Sequence, residues 1–243
     1  MLKKFLVEIV IPVYNEEKEL EENVLRLYQF LNKSFNDFNW QITIADNASI
    51  DKTASIGKEL ARKYQKITYL YLPQKGRGRA VKKVWRESQA DLLAYMDLDL
   101  STDLKHFPRL IKSLISNFDL AIGSRLLVDS EVYHRSLKRE ILSRGYNFLI
   151  RLLFKTRFSD AQCGFKAITK KAAEEVLPLI KDNQWFMDTE LLVLAEKLGY
   201  KIYEEPVAWR DSPGSTVRVL PTIIGDLKGL CRLFWQKPWR KIL

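Results

Sequence analysis

Asp97 and Asp99 stand one residue apart in the run Tyr95-Met96-Asp97-Leu98-Asp99-Leu100-Ser101-Thr102-Asp103. Asp91-Leu92-Leu93-Ala94 before them is a short apolar run with the length and flanking of a buried strand. Residues i and i+2 of an extended segment point the same way, so both carboxylates leave the strand's carboxyl end together. Two hard oxygen donors at that spacing can hold a divalent cation, and Mg2+ takes one or two carboxylates plus substrate phosphates. The chemistry on offer is a metal site for a nucleoside diphosphate. A solvated acidic loop is the plainer alternative, since Asp-x-Asp alone is a weak motif.

Three further runs follow predicted strands: Pro12-Val13-Tyr14-Asn15-Glu16, Asp46-Asn47 and Lys75-Gly76-Arg77-Gly78. They supply an aromatic ring that can lie on a base, acceptors for ring N–H groups, and cations beside glycines. Those glycines would let backbone approach phosphate at a helix N-terminus, which favours anions. Each run has a bland reading. Tyr14 can be a surface turn residue and Asp46 an Asx-turn or cap. The Gly-x-Gly pair lacks both the Walker pattern and the third glycine of a dinucleotide fingerprint. Their joint order and spacing favour the nucleotide site.

These residues need elements that gather them. Strands are predicted at 6–12, 41–45, 67–72, 91–97, 120–123 and 201–203. Helices are predicted from near Glu16 (capped by Asn15) and over 52–64, 76–88, 104–116, 136–154, 170–177 and 188–198, the last stopped by Gly199. The stretch through Cys163-Gly164-Phe165 reads as a loop. Alternating strands and helices imply an α/β domain, a mostly parallel sheet with helices on both faces and its ligand crevice outside the carboxyl strand ends.

Of 243 residues, 47% are hydrophobic, which suits a globular core and excludes disordered and collagen-like classes. No apolar run approaches the roughly 20 residues that span a bilayer, and the N-terminus reads directly into a strand, so no signal peptide is expected. Cys163 and Cys231, far apart, suggest free thiols in a reducing compartment. The net charge of +10 is uneven: 134–157 carries +6 and 218–243 carries +5. In the first segment Arg144, Arg151 and Lys155 form a helical stripe beside Phe148, Leu149, Leu152 and Leu153. In the second, Leu227, Leu230, Leu233, Phe234, Trp235 and Trp239 interleave with Lys228, Arg232, Lys237, Arg240 and Lys241. Such mixtures suit helices lying in a headgroup region. Packing on the domain's own core is the alternative for both.

The runs IVIPVYNE, ADNASIDKT, QKGRGRAV, YMDLDLSTD, IGSR, DAQCGFKAI, WFMDTELL and PGSTVR resemble family 2 glycosyltransferases of GT-A fold. They are most similar to the branch that makes dolichyl- or polyprenyl-phosphate sugars, and the likeness runs from Val7 to about Arg218. It implies a Rossmann-like GT-A catalytic domain over 1–217 and a basic amphipathic membrane-associating segment over 218–243. Pro12, Tyr14 and Glu16 would line the nucleoside pocket, Asp46 and Asn47 would read the base, and Lys75 and Arg77 would approach the donor. Relatives often carry two acidic residues where this chain has Asp46-Asn47. Asp97 and Asp99 would hold Mg2+ or Mn2+, with Asp99, Arg125, Asp188 and Glu190 as the catalytic set. Gln162, Asp188 and Glu190 match positions near the sugar. Arg125, Arg139, Ser143, Arg210, Ser215 and Arg218 would meet the acceptor phosphate, Arg218 replacing a lysine that relatives carry near Ser215.

The implied reaction is inverting transfer from a nucleotide-sugar to a polyprenyl or dolichyl phosphate. UDP-glucose is the favoured donor, with UDP-N-acetylglucosamine or GDP-mannose as alternatives. A phosphate acceptor is already largely dianionic at neutral pH, so cationic positioning suffices, whereas a hydroxyl acceptor needs a base. The implied location is peripheral, on the cytoplasmic face of a membrane. A hydroxyl-acceptor transferase, a non-catalytic relative and a basic nucleic-acid-binding module are the competing readings. No nucleic-acid motif is present to support the last, so no nucleic-acid partner is expected.

Overall fold

The computed structural model describes residues 4–211 and 219–241. Strands β1 (Leu6–Val13), β2 (Asn39–Asn47), β3 (Ile67–Leu72), β4 (Leu92–Met96), β5 (Leu120–Ser124), β7 (Phe165–Thr169) and β8 (Ile202–Pro206) form one sheet in the order β3-β2-β1-β4-β7-β5-β8. A short parallel pair, β6 (Glu131–Tyr133) with β9 (Ala208–Arg210), stands beside it. Helices α1 (Leu20–Ser34), α2 (Thr53–Lys63) and α4 (Phe107–Ile115) cover one face. The other carries α3 (Arg77–Glu87), α5 (Leu137–Phe154), α6 (Lys170–Val176), α7 (Met187–Lys197) and α8 (Val219–Gln236). Because both faces are covered, β1 and β4 are near-continuous apolar runs rather than alternating ones.

Pairings β1–β2, β2–β3, β1–β4 and β5–β8 are parallel, as the alternating pattern predicts. Strand β7 is the departure. It lies antiparallel between β4 and β5, where the sequence reads as a loop through residue 165. Its charged residue, Lys166, speaks against a buried strand until its partner, Asp188 on α7, is known. Strand β2 also runs two residues further than predicted, so Asp46 and Asn47 are in the ladder, opposite Tyr71 and Leu72.

Helix α1 begins at Leu20, not near Glu16. Asn15 does not cap it: the residue sits at φ +56°, and its Oδ1 accepts from Ile50 N at 2.9 Å. Helix α5 starts where expected, with the Ser136 hydroxyl accepting from Arg139 N.

The C-terminal segment is not separate from the domain's packing. Leu230, Leu233 and Trp239 are buried in the same core as α3, α6 and α7. The Phe154 ring of α5 meets the Phe234 and Trp239 rings edge-on, at 6.4 and 6.3 Å. The boundary expected at 217/218 lies outside the described residues; α8 shares the core of the domain. The outer faces remain apolar and exposed, at Leu137, Ile141, Phe148 and Leu152 on α5 and at Ile224, Leu227 and Trp235 on α8. Among the described residues no helix is long and apolar enough to cross a membrane.

Candidate active site

Past the carboxyl end of β4 lies a charge network that reaches the half-exposed Asp97 and centres on the buried Arg77, the first residue of α3. Its Nε and Nη2 donate to Asp97 Oδ1 at 3.0 and 2.6 Å, and its Nη1 donates to Asp188 Oδ2 at 2.6 Å. The guanidinium lies between the rings of Tyr95 and Trp185, 4.8 and 4.9 Å from their centroids. Asp188 Oδ1 takes the Tyr95 hydroxyl and the Lys166 ammonium, the latter at 3.0 Å. Burial opposes ionisation of Asp188, but Lys166 and Arg77 outweigh it and hold this carboxyl below its ordinary range. Arg77 thus bridges two acids instead of standing free to approach the donor. Tyr95 and Lys166 join the site unpredicted: Tyr95 reads as an ordinary strand residue, and Lys166 follows a stretch that reads as a loop.

At the nucleoside end Lys75 Nζ lies 3.5 Å from the Tyr14 ring centroid. Asp46 and Asn47 are buried, and their polar atoms serve the protein. Asp46 accepts from Ser49 N and Tyr69 OH, at 2.9 and 2.7 Å. Asn47 donates to Val13 O at 2.6 Å and accepts from Gly76 N at 3.0 Å. The expected base-reading pair instead ties the ends of β1, β2 and the 75–77 loop together. The two glycines likewise seat protein against protein. A Cβ on Gly76, which has φ +153°, would come within 2.5 Å of Asn183 O, and one on Gly78 within 2.7 Å of Met187 Cβ. They press α3 against the start of α7, which brings Arg77 to Asp188. Glu16 comes near the metal loop: burial, with Glu19, Asp99 and Asp51, pushes its carboxyl up to about 7.

On the other side Arg125 grips Asp160 through Nε and Nη2, at 2.7 and 2.9 Å. Burial would raise the Asp160 carboxyl, but Arg125 holds it down at about 2. The Trp209 ring lies between Arg125 and Arg135, 5.4 and 5.9 Å from their guanidinium carbons. Arg139 pairs with Asp211, just past β9. Ser143 is one turn further along α5, its carbonyl accepting from Asn147 Nδ2. The exposed Arg210 donates its backbone N–H to Ser101 O at 2.9 Å, linking β9 to the Asp99 loop. Ser215 and Arg218 lie outside the described residues.

Two residues expected near the sugar have partners from α8. Gln162 Nε2 donates to Asp226 Oδ2 at 2.7 Å. Glu190 is fully buried, takes both terminal nitrogens of Arg232 at 2.7 and 3.0 Å, and accepts from Lys181 N and Asp182 N. It fastens α7 to α8 and to the 181–182 backbone.

Asp99 is exposed, and its oxygens take the N–H and hydroxyl of Ser101. The packing around Asp97 and the adjacent Asp99 charge push the Asp97 carboxyl up, against the pull of Arg77. A divalent cation relieves such repulsion. No third His, Cys, Asp or Glu joins the pair into a closed cage among the described residues. Two carboxylates with open positions fit a cation that shares its shell with a diphosphate.

The profile of Glycosyl transferase family 2 matches residues 8–177, which hold every strand end described above except that of β8 and β9. The chain belongs to glycosyl transferase family 2. Within this family it is 34% identical to glycosyltransferase AglD of Haloferax volcanii, over 95% of this chain and 37% of that one. It is also 34% identical to the dolichyl-phosphate beta-glucosyltransferase of Dictyostelium discoideum, over 93% of this chain and 73% of that one. The chain thus spans little more than a third of the first relative's length. Its fold is shared with glucosyl-3-phosphoglycerate synthase from Mycobacterium tuberculosis, at TM-score 0.67 and 16% identity over 97% of this chain and 78% of that one. That enzyme was solved in complex with Mn2+, UDP and phosphoglyceric acid. The family 2 GT-A architecture is as the resemblance implied, with β7 as its antiparallel member. The α8 contacts, from Asp226 to Arg232, fall outside the profile's span.

Proposed function

We propose that this family 2 glycosyltransferase moves glucose from UDP-glucose to dolichyl or another polyprenyl phosphate, giving a β-linked lipid-phosphate glucose. The observation that carries the choice of acceptor is Asp188. A hydroxyl acceptor must surrender a proton during attack. Asp188, a buried carboxylate, already accepts from Tyr95, Lys166 and Arg77, and the two cations hold it below its ordinary range, which makes it a weak base for that proton. A phosphate monoester, with a second pKa of about 6, attacks as a dianion and needs no base. The dolichyl-phosphate glucosyltransferases among the relatives support the same acceptor and the same sugar.

In this reading an acceptor phosphate oxygen forms a bond to the anomeric carbon as the bond to the donor's β-phosphate oxygen breaks, inverting the centre. Pro12, Tyr14 and Glu16 line the nucleoside end, where Asp46 and Asn47 set the pocket's shape and Lys75 lies beside the ring. Asp97 and Asp99 would hold a Mg2+ or Mn2+ ion, whose chemistry is to neutralise the leaving diphosphate. Arg125 and Arg139, with Ser143, Arg210, Ser215 and Arg218, draw in the acceptor's phosphate. Their acidic partners, Asp160 and Asp211, fix the first two guanidinium groups beforehand.

The lipid tail calls for a membrane surface. The exposed apolar residues of α5 and α8, flanked by Arg144, Arg151, Lys155 and Lys228, suit peripheral binding to anionic lipid, placed by this reading on the cytoplasmic face. The test is incubation with short polyprenyl phosphates and labelled UDP- and GDP-sugars in Mg2+ or Mn2+. A lipid-extractable product from UDP-glucose is expected. Label recovered only as free sugar or water-soluble glycan defeats the lipid acceptor, and product from GDP-mannose alone defeats the donor.

A further inference from the structure

The sequence alone leaves α8 between a membrane surface and the domain's core, and its inner face is fastened beside the site at three successive points. Asp226 Oδ2 accepts from Gln162 Nε2 at 2.7 Å. Gly229 lies so close to the Phe186 ring that a Cβ would come within 2.4 Å of it. Arg232 pairs with Glu190 at 2.7 Å. Gly229 and Arg232 dock on the first turn of α7, which also carries Asp188, and that leaves Asp226 beside the loop of Gln162.

Asp226 is an unusual carboxylate for a packing residue. It is only 6% exposed, its side-chain partner is a neutral amide, and the charges that act on it are the acidic ones of Asp182 and Asp188. Burying a carboxylate in such company is unfavourable, and groups kept under that strain concentrate where ligands bind. Its place gives it a ligand. Gly164, two residues past Gln162, backs directly onto Asp97, whose Oδ2 would stand 1.7 Å from a Cβ there. With nucleoside at the Tyr14 end and diphosphate at Asp97 and Asp99, the next group of the donor lies toward Gln162 and Asp188.

We infer that Asp226 accepts hydrogen bonds from hydroxyls of the donor sugar, with Gln162 holding its carboxylate in place, and so selects neutral hexoses. The inference rests on the reading of the cleft as a nucleotide-sugar site. An ionised carboxylate is an acceptor only, so hydroxyl donors satisfy it. A sugar bearing its own carboxylate would meet Asp226, whose side-chain partner is a neutral amide and not a cation, and the like charges would reject it.

The test compares affinities for UDP, UDP-glucose and UDP-glucuronate in Mn2+, by calorimetry, for wild type, Asp226→Asn and Asp226→Ala. Asp226→Asn should leave UDP affinity unchanged and weaken UDP-glucose roughly ten-fold, the loss of one hydrogen bond to a charged group. The gap between UDP-glucose and UDP-glucuronate should narrow, while Tm holds or rises because a buried charge is gone. Asp226→Ala should show the same selective loss whatever its Tm. Unchanged UDP-glucose affinity in Asp226→Asn overturns the inference. So does a parallel fall of UDP affinity, UDP-glucose affinity and Tm, the signature of a packing residue. A wild-type protein that binds UDP-glucose yet makes no lipid-linked product defeats the proposed acceptor and leaves this comparison intact.

Discussion

Arg77 Nη1 stands 2.6 Å from Asp188 Oδ2, and the same guanidinium holds Asp97 Oδ1 through its other two nitrogens. One buried cation therefore joins the acid of the β4 loop to the acid of α7. Replacing Arg77 by Ala leaves both acids with their largest common partner gone. Removing one member of a buried pair costs about 3–5 kcal/mol. Arg77→Ala should lose that much stability in denaturant titration and nearly all turnover. Arg77→Lys should recover only part of the stability, because an ammonium cannot span both carboxylates in the fork geometry. Adding Asp97→Asn to Arg77→Ala should recover part of that stability but not turnover, because Asp188 keeps its partner Lys166 and no unpaired carboxylate remains.

Gly164 is pressed against the side chain of Asp97, with no room for even a methyl group. Gly164→Ala must shift either the β4 loop or the 160–164 loop, an overpacking that costs roughly 1–3 kcal/mol. The larger effect is expected on Mn2+-dependent UDP binding, because Asp97 is displaced. Calorimetric titration of UDP with and without Mn2+ checks it: equal metal enhancement in wild type and Gly164→Ala would contradict the assignment of Asp97 to the metal.

Burial pushes the Asp226 carboxyl up to about 7, Gln162 pulls against it, and Asp182 and Asp188 add to the rise. Tyr146, whose hydroxyl bonds Thr189, is a further titratable group affected by Asp226. An unfolded aspartate titrates near 3.9. Between those values the folded chain keeps a proton that the unfolded chain has lost. This contribution to stability is thus full below about pH 4 and lost as pH rises through 7. Asp226→Asn does not titrate, so its Tm minus that of wild type should grow from pH 5 to pH 8. Glu16, raised to about 7 by burial, adds a slope of the same sign to both proteins and cancels in the difference.

The exposed faces of α5 and α8 pair Leu137, Ile141, Phe148, Leu152 and Trp235 with nearby cations. Each Lys or Arg near an anionic bilayer is worth about 1 kcal/mol. Arg144→Glu with Arg151→Glu should reduce co-sedimentation with phosphatidylserine-containing vesicles more than ten-fold, with salt weakening wild-type binding similarly. Phe148→Ser with Leu152→Ser should weaken binding at any salt. Neither pair should lower UDP affinity, since all four side chains are exposed on the outer face of α5.

Much of the architecture was legible before any coordinates. Strand ends bearing Tyr14, Lys75 and Asp97 announce themselves through short apolar runs with glycine or acidic flanks. Strand β3 has the predicted bounds, and β1, α2, α3 and α5 lie within a residue or two of theirs. Strand β7 was hidden because Lys166 breaks its apolar run, and a lone buried lysine carries no local sign of the carboxylate that neutralises it. The C-terminal segment is divided in a related way. Its mixture of Leu, Trp and Lys suits a lipid surface, and only packing reveals that Leu230, Leu233 and Trp239 are turned inward.

By itself, then, the sequence determined the sheet order's raw material, the family and the set of groups that reach one edge, because periodicity and strand-end motifs are local properties. The tertiary structure decided which of those groups remain free to meet a ligand. Arg77 and Asp188 are 111 residues apart, and Gln162 and Asp226 are 64 apart. No local pattern encodes such pairings, since a charge's partner is chosen by the packing of distant elements. That choice gave Arg77, Asn47 and Glu190 partners within the protein and set Lys166 against Asp188.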